Sequence, residues 1–197
     1  MVLATYTPLS FGSLINSKHD FSGQSWANQR LCVPCHPPHN ASTTEPLLWN
    51  RELSGSSYDP YTSPTLTGQQ FELASQSKLC LSCHDGVVAV DSFDGNSGST
   101  YVSGTALIGT NLANDHPIGI KWEHQTLNNG GATIGCDSCH ENFSNVPTKM
   151  NAPFFGQSGQ YTVECVSCHD PHGEAGFSSF LRMTNDASAL CLQCHEN

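Results

Sequence analysis

The stretch Cys165-Val166-Ser167-Cys168-His169-Asp170-Pro171-His172-Gly173 holds two cysteines, a histidine directly after the second, and another histidine three residues on. A close copy runs Cys32-Val33-Pro34-Cys35-His36-Pro37-Pro38-His39. The first half of the pattern returns as Cys80–Cys83–His84, Cys136–Cys139–His140 and Cys191–Cys194–His195. All ten cysteines of the 197 residues fall into these five pairs, a histidine follows each pair, and no cysteine is left over. The repeating unit is therefore C-x-x-C-H rather than a bare cysteine pair.

That unit is the attachment signature of c-type haem. Two thiols add across the two vinyl groups of one porphyrin, and the two intervening residues set their reach. The next histidine then lies under the iron as its proximal ligand. Zinc explains the pattern less well, because a four-cysteine site takes two pairs and five pairs leave an orphan. Disulfides within the pairs account for neither the histidine nor the short spacing. A thioredoxin-like redox pair occurs singly beside a βαβ unit, which the sequence lacks. The expected cofactors are five covalent haems c on Cys32, Cys35, Cys80, Cys83, Cys136, Cys139, Cys165, Cys168, Cys191 and Cys194, with proximal ligands His36, His84, His140, His169 and His195.

Five histidines remain: His19, His39, His116, His124 and His172. Their number equals that of the open distal positions, and imidazole suits iron well, so they are the expected sixth ligands. The methionines are poorer candidates and read as gap fillers. Two axial histidines stand on opposite faces of one porphyrin, which puts their Cα atoms roughly 13 Å apart or more. Three extended residues span at most about 11 Å. His172 therefore cannot complete the iron held by His169, and His39 cannot complete that of His36. Each should serve a different haem, so that these two motifs tie haems into close contact. Pro37, Pro38 and Pro171 fit this, since proline keeps the preceding residue extended and stops the chain curling back. Asp20, Asp115 and Asp170 are candidates for orienting a ligand imidazole.

Composition agrees with an interior filled by something other than side chains. Hydrophobic residues make up 37% and aromatics 9%, while 17 Gly and 11 Pro promise abundant turns. Five haems leave about 39 residues for each, too few to bury them conventionally. The net charge of −10, with seven Lys and Arg, argues against a nucleic-acid partner and against anionic lipid. There is no apolar run of about 20 residues, so no transmembrane segment is expected. The start, Met1–Phe21, lacks a basic and then apolar region and does not read as a signal peptide. Maturation of such cytochromes outside the cytoplasm still requires export.

The first cysteines of successive motifs lie 48, 56, 29 and 26 residues apart, so the motif is a repeated attachment site and not a structural repeat of fixed period. One domain over 1–197 is expected, with a looser two-motif part at about 1–134 and a dense three-motif part at about 135–197. The fold class is mostly irregular coil, with a few short α-helices and β-strands, wrapped around a chain of haems. Helices are expected at Gln69–Leu79, Asp186–Cys194 and Ser25–Leu31. Strands are expected at Gly86–Phe93 and Ala106–Ile108. Asp94–Gly104 reads as a turn-rich loop and Asn40–Thr67 as extended surface chain.

Several longer words have a family likeness. SKHDFSG at 17–23, CVPCHPPHNA at 32–41, PLLWN at 46–50, KLCLSCHDG at 78–86, NDHPIGI at 114–120 and CVSCHDPHG at 165–173 resemble multihaem c-type cytochromes of metal-reducing bacteria. Within that group they are most similar to the outer-membrane cytochromes E and S, which polymerise into extracellular filaments (nanowires). The resemblance implies a continuous chain of bis-histidine haems and a homo-polymer in which one subunit supplies a distal histidine to its neighbour, with His19 a candidate donor. It implies other redox proteins or extracellular electron acceptors as partners, and a place outside the cell or on its surface. Five motifs depart from the four- and six-haem members.

The expected function is electron transfer rather than catalysis, because an iron with two histidines has no position open for a substrate. The alternatives are a discrete periplasmic carrier, or a multihaem oxidoreductase with one open haem.

Overall fold

The computed structural model describes residues 14–43, 48–66, 68–121 and 162–193. Most of this chain is turn and extended coil, with two short α-helices, one two-stranded sheet and isolated 3₁₀ turns. Helix α1 spans Ser75–His84 and helix α2 spans Cys165–Cys168. Strand β1 (Ile120–Lys121) pairs antiparallel with β2 (Thr162–Val163), Ile120 opposite Val163 and Lys121 opposite Thr162. The mostly irregular fold expected from composition is what the described residues adopt.

α1 forms where the sequence SQSKLCLSCH has no Gly, Pro or β-branched residue, so it holds no strong helix breaker. It stops because Gly86, two residues past His84, takes a left-handed φ of +76° that an L residue adopts only at a cost. The helix lies later than the expected Gln69–Leu79. The reason is backbone pairing upstream: Phe71 N–H donates to Gly119 O at 2.8 Å, and Lys121 N–H donates to Gln69 O at 2.8 Å. Residues 69–71 thus lie alongside β1 and their amides are already committed. The chain turns helical only after Ala74.

The other local expectations fared unevenly. Ser25–Leu31 gives one 3₁₀ turn, Ser25–Ala27, closed by the left-handed Asn28 and Gln29. Asp186–Cys194 is broken within its described part into two 3₁₀ turns, Asp186–Ser188 and Cys191–Gln193, because Ala187 and Ser188 both have positive φ. Neither Gly86–Phe93 nor Ala106–Ile108 is a strand. Ala89 and Val90 are buried all the same, and Val90 N–H donates to Thr100 O at 2.7 Å. Those residues are apolar because they are covered, not because they pair in a ladder. Asp94–Gly104 is the expected loop, held by Asp91, whose carboxylate accepts the Ser99 and Thr100 N–H groups at 3.0 and 2.8 Å. The described parts of Asn40–Thr67 are irregular and extended, with one parallel bridge from Asp59 to Asn111.

The buried apolar side chains of the described residues are few: Ala27, Pro34, Pro37, Trp49, Leu79, Leu81, Ala89, Val90, Phe93 and Leu112. Between α1 and α2 the contact is polar instead. Glu164, 1% exposed, accepts hydrogen bonds from the hydroxyls of Ser77 and Thr162 and from Ala74 N–H. Ser77 Oγ also accepts Cys165 N–H at 3.1 Å, and Glu164 N–H donates to Ser167 Oγ at 3.0 Å. A buried carboxylate is tolerated only when its lone pairs are filled, and here the donors come from the start of α1, from β2 and from the Ser167 N–H of α2. This network sets the Cys80 motif against the Cys165 motif. No helix among the described residues is long and apolar enough to cross a membrane.

Candidate functional site

Each complete motif in the described residues is a single helical turn. His36 N–H donates to Cys32 O at 2.7 Å, and His169 N–H donates to Cys165 O at 3.0 Å. The Cys80 motif forms the last turn of α1. A helical turn puts residues i and i+3 on one face, so both thiols of a pair point the same way and the histidine follows at once. No described cysteine is in a disulfide.

The histidines come together in pairs drawn from different parts of the chain. The rings of His19 and His84 have centres 6.1 Å apart, and so do those of His36 and His172. A metal ion held between two imidazole nitrogens at about 2 Å on each side puts the ring centres roughly 6 Å apart. Each pair joins one motif histidine to one non-motif histidine. In the second pair, His172 faces the histidine of the first motif in the chain.

Hydrogen bonds leave the right nitrogen free. Nδ1 of His84 donates to Ala106 O at 2.7 Å, that of His19 to Pro171 O at 3.1 Å, and that of His169 to Ser179 O at 2.8 Å. A carbonyl can only accept, so Nδ1 carries the proton and Nε2 keeps its lone pair. That is the tautomer a metal-ligating imidazole adopts. His19 is held below the ordinary histidine pKa by burial, against the opposing pull of its bond to Pro171, which keeps it neutral and able to ligate. Its ring also stacks on Phe180, centres 4.4 Å apart and 14° from parallel. His116 bonds the carbonyl of its own Pro117 at 3.0 Å, and both His116 and His39 are exposed.

Backbone carbonyls therefore orient the imidazoles where aspartates were candidates. Asp20 receives the N–H groups of Asn16 and Ser22 and shapes a turn. Asp170 accepts the N–H groups of His172 and Glu174 at 3.1 Å each and stands 3.6 Å from His172 Nδ1. Asp115 holds a buried oxygen with no partner among the described residues.

The thiols of three motifs converge. Interaction with Cys165, with burial, raises the pKa of Cys80 well above the ordinary thiol value, while the interaction with Cys80 lowers that of Cys165. Burial, with neighbouring Cys83, pushes Cys35 up to about 11. Burial raises Cys83 and Cys168 as well. No group of three or more His, Cys, Asp or Glu among the described residues is placed to hold a metal ion. Histidine pairs beside paired cysteines fit a group that brings its own equatorial ligands, as a porphyrin does.

Cys136, Cys139, His140, His124, Cys194 and His195 lie outside the described residues. Three features were missed at the level of sequence: the Ser77–Glu164 link, the Phe180 stack on His19, and buried Arg51. Only Arg51 left a trace there, as one of seven basic residues in an acidic chain.

Residues 159–197 match the family model described as a doubled CXXCH motif. The match spans about a fifth of the chain and covers the Cys165 and Cys191 motifs. The doubled motif indicates covalently bound c-type haem and electron transfer, the chemistry of a c-type cytochrome. No curated protein matches the chain.

Proposed function

We propose that the chain carries electrons through five closely packed c-type haems, each held by two histidines. The observation that supports this best is the pair of facing imidazole couples, His19 with His84 and His36 with His172, each 6.1 Å between ring centres. On this reading Cys80, Cys83, His84 and His19 hold one haem, and Cys32, Cys35, His36 and His172 hold another. Cys165, Cys168 and His169 hold a third, and the motifs at Cys136 and Cys191 hold the remaining two. When bound, haem supplies a one-electron couple whose potential the axial ligands and surroundings set.

The chain's own residues do the positioning. Ala106, Pro171 and Ser179 fix imidazole tautomers through their carbonyls. Pro171 and His172 are neighbours, yet Pro171 O holds the His19 ring while His172 faces His36. Two couples are thus fixed relative to each other by one peptide unit, which favours short electron hops. With both axial positions filled, the chain is not an enzyme.

The likeness of its motif-bearing words to filament-forming cytochromes supports a homo-polymeric extracellular filament; a discrete periplasmic carrier is the alternative. Electron paramagnetic resonance of the oxidised protein should show low-spin haem alone, and the reduced protein should not bind carbon monoxide. A high-spin signal in the native chain would favour an oxidoreductase. Electron microscopy separates the other two: filaments tens of nanometres long for the polymer, single particles for the carrier.

A further inference from the structure

Ser179 and Phe180 both have a left-handed backbone, with φ of +54° and +58°. Neither is glycine, and for a bulky side chain this region is an outlier that the surrounding structure must hold in place. The hold is visible. Asp170 N–H donates to Phe180 O at 2.7 Å, Arg182 N–H donates to Cys168 O at 2.9 Å, and Ser179 O accepts from His169 Nδ1 at 2.8 Å. This strained turn lays the Phe180 ring flat on the His19 ring, centres 4.4 Å apart and 14° from parallel.

The stack restrains the one motion that ligation leaves open. An imidazole bound through Nε2 can still swing about its bond to the metal. His84 is held against that swing by its bond to Ala106 O, and His19 by its bond to Pro171 O. One hydrogen bond is a soft restraint, because its geometry is broad. A ring face is firmer, since turning the His19 plane drives its edge into Phe180. The planes of His19 and His84 cross at 61°, and those of His36 and His172 at 38°. In that second couple His172 Nδ1 stands 3.6 Å from Asp170 Oδ1, beyond hydrogen-bond length.

Resting on the haem reading above, we propose that Phe180 is a positioning residue for the haem at Cys80–Cys83. By lying on His19 it keeps the two axial imidazoles of that haem crossed. Axial ligands are one of the levers by which a protein tunes haem iron, and an imidazole acts through the plane of its π-system. Aligned planes raise one iron d-orbital above its partner, whereas crossed planes raise both alike. Oxidised low-spin iron with these orbitals nearly level shows a larger highest g-value than iron with them split. Two haems with identical ligand sets are thereby made electronically different.

The test uses the full haem-loaded protein with Phe180→Leu, Phe180→Ala and Phe180→Tyr. Haem content by pyridine haemochrome and the native electron paramagnetic resonance spectrum come first. The native spectrum should hold low-spin signals with different highest g-values. In Phe180→Leu, which keeps much of the bulk without the flat face, one signal should shift and broaden as the His19 plane is released. The others should stay in place and all haems should stay low-spin. Phe180→Ala should do the same, and Phe180→Tyr, which keeps the face, should retain the native spectrum. If the alanine variant loses haem, Phe180→Leu decides alone. A spectrum unchanged in Phe180→Leu would overturn the proposal. So would equal shifts in the leucine and tyrosine variants, or a shift of two or more signals, since Phe180 would then only brace the turn that also holds His169. A native chain without covalent haem, or with a high-spin one, would sink the haem reading instead, before any variant is made.

Discussion

Two motifs begin alike and end differently: Cys80-Leu81-Ser82-Cys83-His84-Asp85-Gly86 and Cys165-Val166-Ser167-Cys168-His169-Asp170-Pro171-His172. Their cysteine pairs and aspartates behave as one design. Each is a helical turn, and each aspartate accepts the N–H two residues on, Val87 at 2.9 Å and His172 at 3.1 Å. Their backbones already part at the histidine, helical through His84 but extended at His169, and the next residues widen the difference. Gly86 takes φ +76° and ends the helix abruptly. His84 O then receives the N–H groups of Ile108 and Gly109, which brings a distant loop against this motif. Pro171 has no such freedom and no N–H to give. Its carbonyl holds His19, and the next residue reaches His36. Both motifs gather a distant loop, Ile108–Gly109 on one and Ser179–Arg182 on the other, but only the second carries a histidine onward to another motif.

Removing the reach should have the largest effect. His172→Ala should turn one haem high-spin while all five stay covalently attached, because His172 touches no attachment thiol. The high-spin signal should vanish when Cys32 and Cys35 are also replaced, since the affected haem is the one held by His36. If it persists there and vanishes with Cys165 and Cys168 replaced, the two motifs do not differ as described.

The shared part can be severed next. Glu164→Ala leaves the Ser77 and Thr162 hydroxyls buried without their acceptor. It should cost about 2–4 kcal/mol in denaturant unfolding, with Glu164→Gln losing less. A cost under 0.5 kcal/mol would mean the two motif helices are not joined through this carboxylate.

The smallest effect sharpens the point of divergence. Gly86→Ala should cost about 1–2 kcal/mol for its left-handed backbone, with Leu107 shifting aside to admit the new methyl. The haem spectrum should stay low-spin. A high-spin fraction would show that the turn after His84 also positions the imidazole.

Much of the candidate site was legible in the chain because haem attachment is local chemistry. The motifs, the absence of spare cysteines and the short span from His169 to His172 are all properties of neighbouring residues. Secondary structure was less legible. The apolar run Gly86–Phe93 looks like a strand, yet its backbone pairs elsewhere, and Ala89, Val90 and Phe93 are simply covered while Val87 is exposed. The helix before Cys80 starts late because residues 69–71 pair with residues 119–121, a contact across some fifty residues that no local pattern announces.

The division between the two levels follows from what a linear chain can encode. Composition and motif spacing alone determined a mostly irregular polypeptide with paired thiols and histidines, since these depend on residues a few positions apart. The expectation that His172 serves a different iron from His169 likewise comes from chain length. Only the tertiary structure decided that His172 faces His36, that His19 faces His84, and that Arg51 lies buried against the carbonyls of Ala89 and Val90. Those pairings join residues tens to more than a hundred positions apart, and only folding sets the distances between them.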